Sequence, residues 1–241
     1  MKNIFKIHPL TYIFTLVFIM LGYFKLYLSF MMIILVHELG HIIFSYVFKW
    51  KIKRIIILPM GALIKFDSIL NKPLKEEFLI AIMGIIFQTI FICFFNNNYF
   101  VICYKIILIF NLVPIYPLDG AKIFNLLLNI ITNFQTSYIV SLILSYIIVM
   151  CILIVSIIGQ SLFILISTIP LIVNIISILI NRKGIYMKFL LERYLYQFEF
   201  KKYKYIRNIN KMKRDYNHYF IRDNKIIEEK EYLDLIFCKY S

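Results

Sequence analysis

The sequence predicts an all-α polytopic membrane protein with six transmembrane helices, a re-entrant β-hairpin-like segment after the second, and a small cytoplasmic α/β tail. Three observations carry this. Of 241 residues, 61% are hydrophobic and 17% charged, with a mean hydropathy of +0.81; soluble domains run about 45–50% apolar and about 25% charged. The apolar residues gather into runs near 9–24, 26–48, 78–95, 99–118, 137–158 and 161–181, and a helical span takes about 20 such residues. The basic residues also sort by side. Lys49, Lys51, Lys53, Arg54, Lys65, Lys72 and Lys75 share the 49–77 loop and many more follow Arg182, whereas the opposite connections hold Lys25, Lys105 and no charge at all. The positive-inside bias then puts both termini in the cytoplasm. Residues 1–181 are expected to form the membrane core and 182–241 the tail.

The same sorting disposes of a nucleic-acid reading of the net charge of +14. The excess lies where membrane topology puts it, and a polybasic tail has anionic lipid as its natural neighbour. Cys93, Cys103, Cys151 and Cys238 show no CxxC spacing, so neither disulfides nor metal ligation is expected of them. Lys2 and Lys6 precede the first run without a small-residue cleavage site, which reads as a retained first helix.

The second run holds His37-Glu38-Leu39-Gly40-His41. On a helix, residues four apart share a face, so both imidazoles can grip one metal ion, and Glu38 stands where it can take a proton from water at that metal. A catalytic zinc site needs a third protein ligand and one open position. Polar groups at membrane depth are costly: a charged side chain there costs about 2.5–3.5 kcal/mol on insertion scales. Two other readings stay open here, a chance match of a short pattern and a proton or ion relay such as a transporter would use. An intact Glu38 argues against an inert scaffold.

After this run, residues 55–64 are too apolar for a free loop and too short to span, and Pro59 and Gly61 break them in the middle. A hairpin whose strand edge pairs with an extended substrate would suit them, with Gly61 at the turn; a purely structural plug is the alternative. The third run carries Gly84 and, one turn on, Gln88. That amide can hold a substrate carbonyl or simply bond a neighbouring helix. The fourth run ends in Asn111-Leu112-Val113-Pro114-Ile115-Tyr116-Pro117-Leu118-Asp119-Gly120, where two prolines must break the helix. Asp119 is the only carboxylate between Glu77 and Glu192, at a depth expected to match His41. It is therefore the candidate third ligand beside His37 and His41, or else a cap for a helix over 121–131.

Taken together, HELGH at 37–41 and NLVPIYPLDG at 111–120 resemble the paired HExxH and NxxPxxxxDG signatures of the site-2 proteases, intramembrane zinc metalloproteases. Further stretches support the likeness, among them Leu58-Pro59-Met60-Gly61 and Phe189-Leu190-Leu191-Glu192-Arg193-Tyr194. The resemblance covers residues 7 to about 195 and is strongest to the sporulation branch, which processes the precursor of sigma factor K. It implies one zinc on His37, His41 and Asp119, Glu38 as general base, and Asn111, Pro114 and Pro117 shaping the substrate channel. It also implies a bacterial cytoplasmic membrane, that of the mother cell around the forespore, and a membrane-associated protein substrate. An anti-sigma factor is the alternative substrate; inhibitory membrane partners and oligomerisation stay open.

The chain departs from the family pattern in three places. Gly84-Ile85-Ile86-Phe87-Gln88 replaces a Gly-Pro-x-x-Asn pattern, and Ala62 follows Gly61 where a second glycine is common. Residues 182–241 are also too few for the paired nucleotide-sensing CBS module of that branch. The tail is expected to run as a basic helix over 201–214, strand–turn–strand over 219–227 and a helix over 228–237. That is either a reduced CBS-like element that dimerises or a small cytoplasmic cap.

Overall fold

The computed structural model describes residues 5–58, 61–66, 70–95, 97–196, 198–222 and 225–237. The protein is mostly helical and divides into two compact units, residues 1–69 with 76–113, and residues 70–75 with 114–241.

The first unit contains β1 (Phe5–Ile7), α1 (Pro9–Met20), α2 (Phe24–Val47), β2 (Ile52–Leu58), β3 (Gly61–Phe66), α3 (Leu74–Phe94) and α4 (Asn98–Leu112). Along α2 the buried residues Tyr27, Ile33, Ile34, His37, Gly40, His41 and Ser45 recur at three- and four-residue steps, which is one helix face. Ile33 and Ile34 of that face pack with Cys103 and Ile107 of α4. The apolar 55–64 stretch is a hairpin, as its Pro and Gly suggest: β2 and β3 pair antiparallel from Leu58↔Gly61 to Ile52↔Phe66. Pro59 and Met60 lie outside the described residues. β1, which sequence reading did not foresee, adds to β2 in parallel through Phe5↔Ile55, Lys6↔Ile56 and Ile7↔Ile57. The sheet order β1-β2-β3 leaves β3 at one edge.

The second unit contains α5 (Asp119–Ile131), α6 (Phe134–Ile158), α7 (Leu162–Tyr196), β4 (Lys202–Ile206), β5 (Tyr216–Arg222), β6 (Lys225–Glu228) and α8 (Glu229–Phe237). β5 and β6 pair antiparallel from Tyr219↔Glu228 to Arg222↔Lys225, and α8 follows them. Where a basic helix is expected over 201–214, Lys202-Tyr203-Lys204-Tyr205-Ile206 is instead a strand, parallel to β5. Its Lys/Tyr alternation has the two-residue period of a strand, and Tyr203 and Tyr205 both stack on Tyr219 (centroids 6.0 and 5.5 Å). Phe134, Phe189, Leu190, Ile206, Met212, Phe220 and Leu233 make one apolar core that joins these strands to α6 and α7. Residues 70–75 are gripped here as well. Asn71 bonds the Phe189 carbonyl (2.9 Å) and Arg193 (2.8 Å), Arg214 donates to the Lys72 carbonyl (2.7 Å), and the Leu74 N–H reaches Asp215 (3.1 Å).

This is an integral membrane protein. Each of the six expected runs holds a helix. Among the described residues α2, α3 and α6 are long and apolar enough to cross a membrane, and α7 makes a fourth if its two halves, bent by 57° between Ile180 and Arg182, count as one span. α1 and α4, with 12 and 15 residues, reach about 18 and 22 Å at 1.5 Å per residue, short of a ~30 Å hydrocarbon core. α4 stops at Leu112 rather than continuing to 118, because Pro114 and Pro117 cannot extend it.

Candidate metal centre

α2 and α3 build the histidine site as a matched pair. His37 and His41, four apart on α2, face Gln88 and Ile80, eight apart on α3, so the helices run in opposite senses here. The Nδ1 of His41 bonds the Ile80 carbonyl at 2.7 Å, and the Nδ1 of His37 bonds Gln88 Oε1 at 3.1 Å. Midway between those partners sits Gly84. A Cβ there would come within 2.8 Å of the His37 ring and nearer still to His41, and one on Gly40 would strike the backbone of Met83. Two glycines therefore bring the helices close enough for α3 to hold both rings.

A carbonyl oxygen can only accept, so His41 carries its proton on Nδ1; with Gln88 Oε1 toward its own Nδ1, His37 takes the same tautomer. Each Nε2 then presents a lone pair, and the two Nε2 atoms stand 3.0 Å apart. Two acceptors at that distance repel unless a cation lies against both. In a tetrahedral zinc site, with Zn–N of about 2.0–2.1 Å, two imidazole nitrogens stand about 3.3 Å apart. The donor set fits a metal of that kind. His37 and His41 are 3% and 7% exposed. Glu38, the next residue along α2, is half-buried, so it keeps some access to water.

Asp119 belongs to the second unit. It is the first residue of α5 and is buried, so the capping alternative is replaced: the residue at the cap is Leu118. Lys122 donates to Asp119 Oδ1 at 3.1 Å from a side chain that is itself largely exposed. The segment before it is pinned by Ser145 of α6, whose hydroxyl donates to the Pro114 carbonyl (3.0 Å) and accepts from the Tyr116 N–H (3.2 Å). Pro114 is half-buried and Pro117 exposed.

Of the other residues read from the sequence, Asn111 is half-buried in the last turn of α4 and Gly61 opens β3 opposite Leu58. Gln88 is fully buried, with Oε1 on His37 and Nε2 without an acceptor. Sequence reading missed the Ile80 carbonyl, the clearance at Gly40 and Ser145. For Ser145 a signal exists: Ser137, Ser141 and Ser145 recur every four residues in an otherwise apolar helix, and all are buried, a spacing that marks a packed face.

Comparison with known proteins points the same way. Residues 25–104 match the model of Peptidase family M50. The chain is 34% identical to stage IV sporulation protein FB of Bacillus subtilis (strain 168) over an alignment of 141 positions, which takes in 50% of this chain and 46% of that protein. The chain thus spans about half the length of the curated relative it matches. Its fold is similar to that of the site-2 protease from Methanocaldococcus jannaschii, with a TM-score of 0.56 at 17% identity over 72% of this chain and 89% of that one. The paired imidazoles of α2, and the α3 face that holds them, thus lie in the stretch that matches Peptidase family M50, in a chain similar in sequence to a stage IV sporulation protein FB and in fold to a site-2 protease.

Proposed function

We propose that this chain is a six-span intramembrane zinc metalloprotease, with both termini cytoplasmic, that processes the precursor of sporulation sigma factor K in the mother-cell membrane. The observation that carries the reading is the histidine pair: both Nδ1–H groups committed, both Nε2 lone pairs converging. His37, His41 and Asp119 would hold one zinc ion, the aspartate assigned by its motif and its burial. Bound there, zinc supplies Lewis acidity and lowers the pKa of coordinated water toward about 7.

The chain's own residues do the rest. Glu38 takes a proton from the attacking water and gives it to the amide nitrogen as the C–N bond breaks, so the carboxylate is regenerated each turnover. The edge of β3, opened by Gly61, offers unpaired backbone groups to an extended segment. A substrate must be extended first, because a transmembrane helix has already spent its carbonyls on itself. Asn111, Pro114 and Pro117 shape the approach. The tail over 182–241 serves as a cytoplasmic cap.

Co-expression of the protein with the sigma-K precursor, wild type beside Glu38→Gln, tests this by a blot for the shortened product. Processing by the wild type alone supports both chemistry and substrate. Equal processing by both removes Glu38 from its role. No processing by either, with the protein present in the membrane, rejects this substrate and turns the search to another, such as an anti-sigma factor.

A further inference from the structure

The two imidazoles are held in different ways. His41 is fixed by a backbone carbonyl, which no substitution removes. His37 is fixed by a side chain. We propose that Gln88 is a positioning residue for metal binding: its amide oxygen fixes the Nδ1–H tautomer of His37 and so presents that ring's Nε2 lone pair to the metal. The inference rests on the metalloprotease reading and extends it to a residue whose sequence context suggests a contact for substrate or for a neighbouring helix.

Three features support it. Gln88 Oε1 lies 3.1 Å from His37 Nδ1. Gln88 is 0% exposed, so bulk water is not at hand to replace a lost acceptor. Its own face of α3, shared with Ile80 and Gly84, lies directly against both rings. Partners of this outer kind fix ring orientation and tautomer, and their loss typically weakens metal binding by about 10–100-fold.

The amide has a second orientation with a different consequence. Turned over, Nε2 would donate to a bare His37 Nδ1, and the ring's proton would move to its own Nε2, where it bonds His41 across the 3.0 Å gap. That arrangement pairs every nitrogen of both rings and leaves no lone pair on His37 for a metal. Glutamate can only accept, methionine can do neither, and the three side chains are of similar length. Substitution at this one position therefore separates the two orientations.

The experiment measures zinc per chain in detergent-purified full-length protein after dialysis against graded chelator, with the cobalt-substituted visible spectrum as a second readout. Wild type, Gln88→Glu, Gln88→Met and His37→Ala are compared, with an unfolding midpoint for each. The expected result is that Gln88→Glu holds zinc as well as wild type and keeps its cobalt spectrum, while Gln88→Met loses zinc at about 10–100-fold lower chelator strength without a matching fall in midpoint. If Gln88→Met does not fold, Gln88→Asn, one methylene too short to reach, takes its place and must also release zinc early. Retention by Gln88→Met equal to wild type overturns the proposal, and so does release by Gln88→Glu. If wild type itself holds no more zinc than His37→Ala, the metalloprotease reading fails first and takes the positioning role with it.

Discussion

His37 and His41 on α2 and His218 on β5 are all buried, at 3%, 7% and 1% exposure, yet they are bonded in opposite ways. His218 has a partner for each nitrogen: Nδ1–H donates to Glu229 Oε2 at 3.0 Å, and Nε2 accepts from the Lys213 N–H at 3.0 Å. Around it, Arg193 donates to Asn71, to the carbonyls of Tyr216 and Lys213 and to Glu229, between the rings of Phe189 and Phe200. Its charge is answered by Glu229 at 2.8 Å. On α2 the outer nitrogens are tied to α3, and the inner ones meet each other at 3.0 Å. A buried histidine bonded at both nitrogens is part of the scaffold. A pair held from behind at Nδ1, with its two Nε2 atoms brought together, has the arrangement of histidines that ligate a metal.

The comparison predicts different failures in the two places. The largest effect is expected at Glu38, where Glu38→Gln should cut cleavage at least about 100-fold while zinc content, measured by atomic absorption, stays at the wild-type level. A fall in both would make Glu38 part of the metal site and blur the contrast. In the tail, Arg193→Met leaves the half-buried Glu229 without its countercharge and the groups around Arg193 without their donor, and should cost about 3–5 kcal/mol, read by denaturant unfolding or by protease sensitivity of residues 198–237. At Gly84, an added methyl presses on both rings, and Gly84→Ala should destabilise by about 1–3 kcal/mol as overpacking does and lower zinc retention with it. An alanine here that kept full zinc would mean that α3 gives way easily.

The smallest effect is a dependence on pH, confined to the tail cluster. Burial pushes His218 below its ordinary value of about 6.5, against the pull of Glu229. For Glu229 burial acts upward, but the His218 hydrogen bond and the Arg193 charge outweigh it and hold the carboxyl below its ordinary 4.5. Both groups bind protons more readily in the unfolded chain, so stability falls as pH falls. The loss begins near pH 6.5 with His218 and continues below 4.5 with Glu229. Unfolding midpoints across pH 8 to 4 should decline in that order, and His218→Gln should remove the upper part of the decline.

The features legible in the sequence were those written within about ten residues. The four-residue spacing of His37 and His41, the break at Pro114 and the apolar hairpin around Gly61 each follow from local pattern. What stayed hidden depends on partners far along the chain. The acceptors on α3 lie 51 and 39 residues from their histidines, and nothing near Ile80 marks its carbonyl as special. Glu192-Arg193 reads as a charged helix end in a basic stretch; only the fold, by bringing Asn71 from 122 residues away, makes Arg193 a buried hub. β1 is three residues long and pairs with a strand more than forty residues on, so no periodicity could show it. The strand at 202–206 was misread because its lysines were weighed as charge and their alternation with tyrosine was not.

The grip on residues 70–75 has a consequence in time. Asn71 leaves the ribosome 122 residues before Arg193, which at about 5–20 residues per second is roughly 6–24 s. Through that interval the connection between β3 and α3 has none of the hydrogen bonds from Phe189, Arg193, Arg214 and Asp215 that later hold it. β3 and α3 are thus joined by a link whose hydrogen bonds form only after residues 189–215 have been made. A nascent chain in a crowded membrane would carry α2 and α3 early and the fastening of the link beside α3 only later.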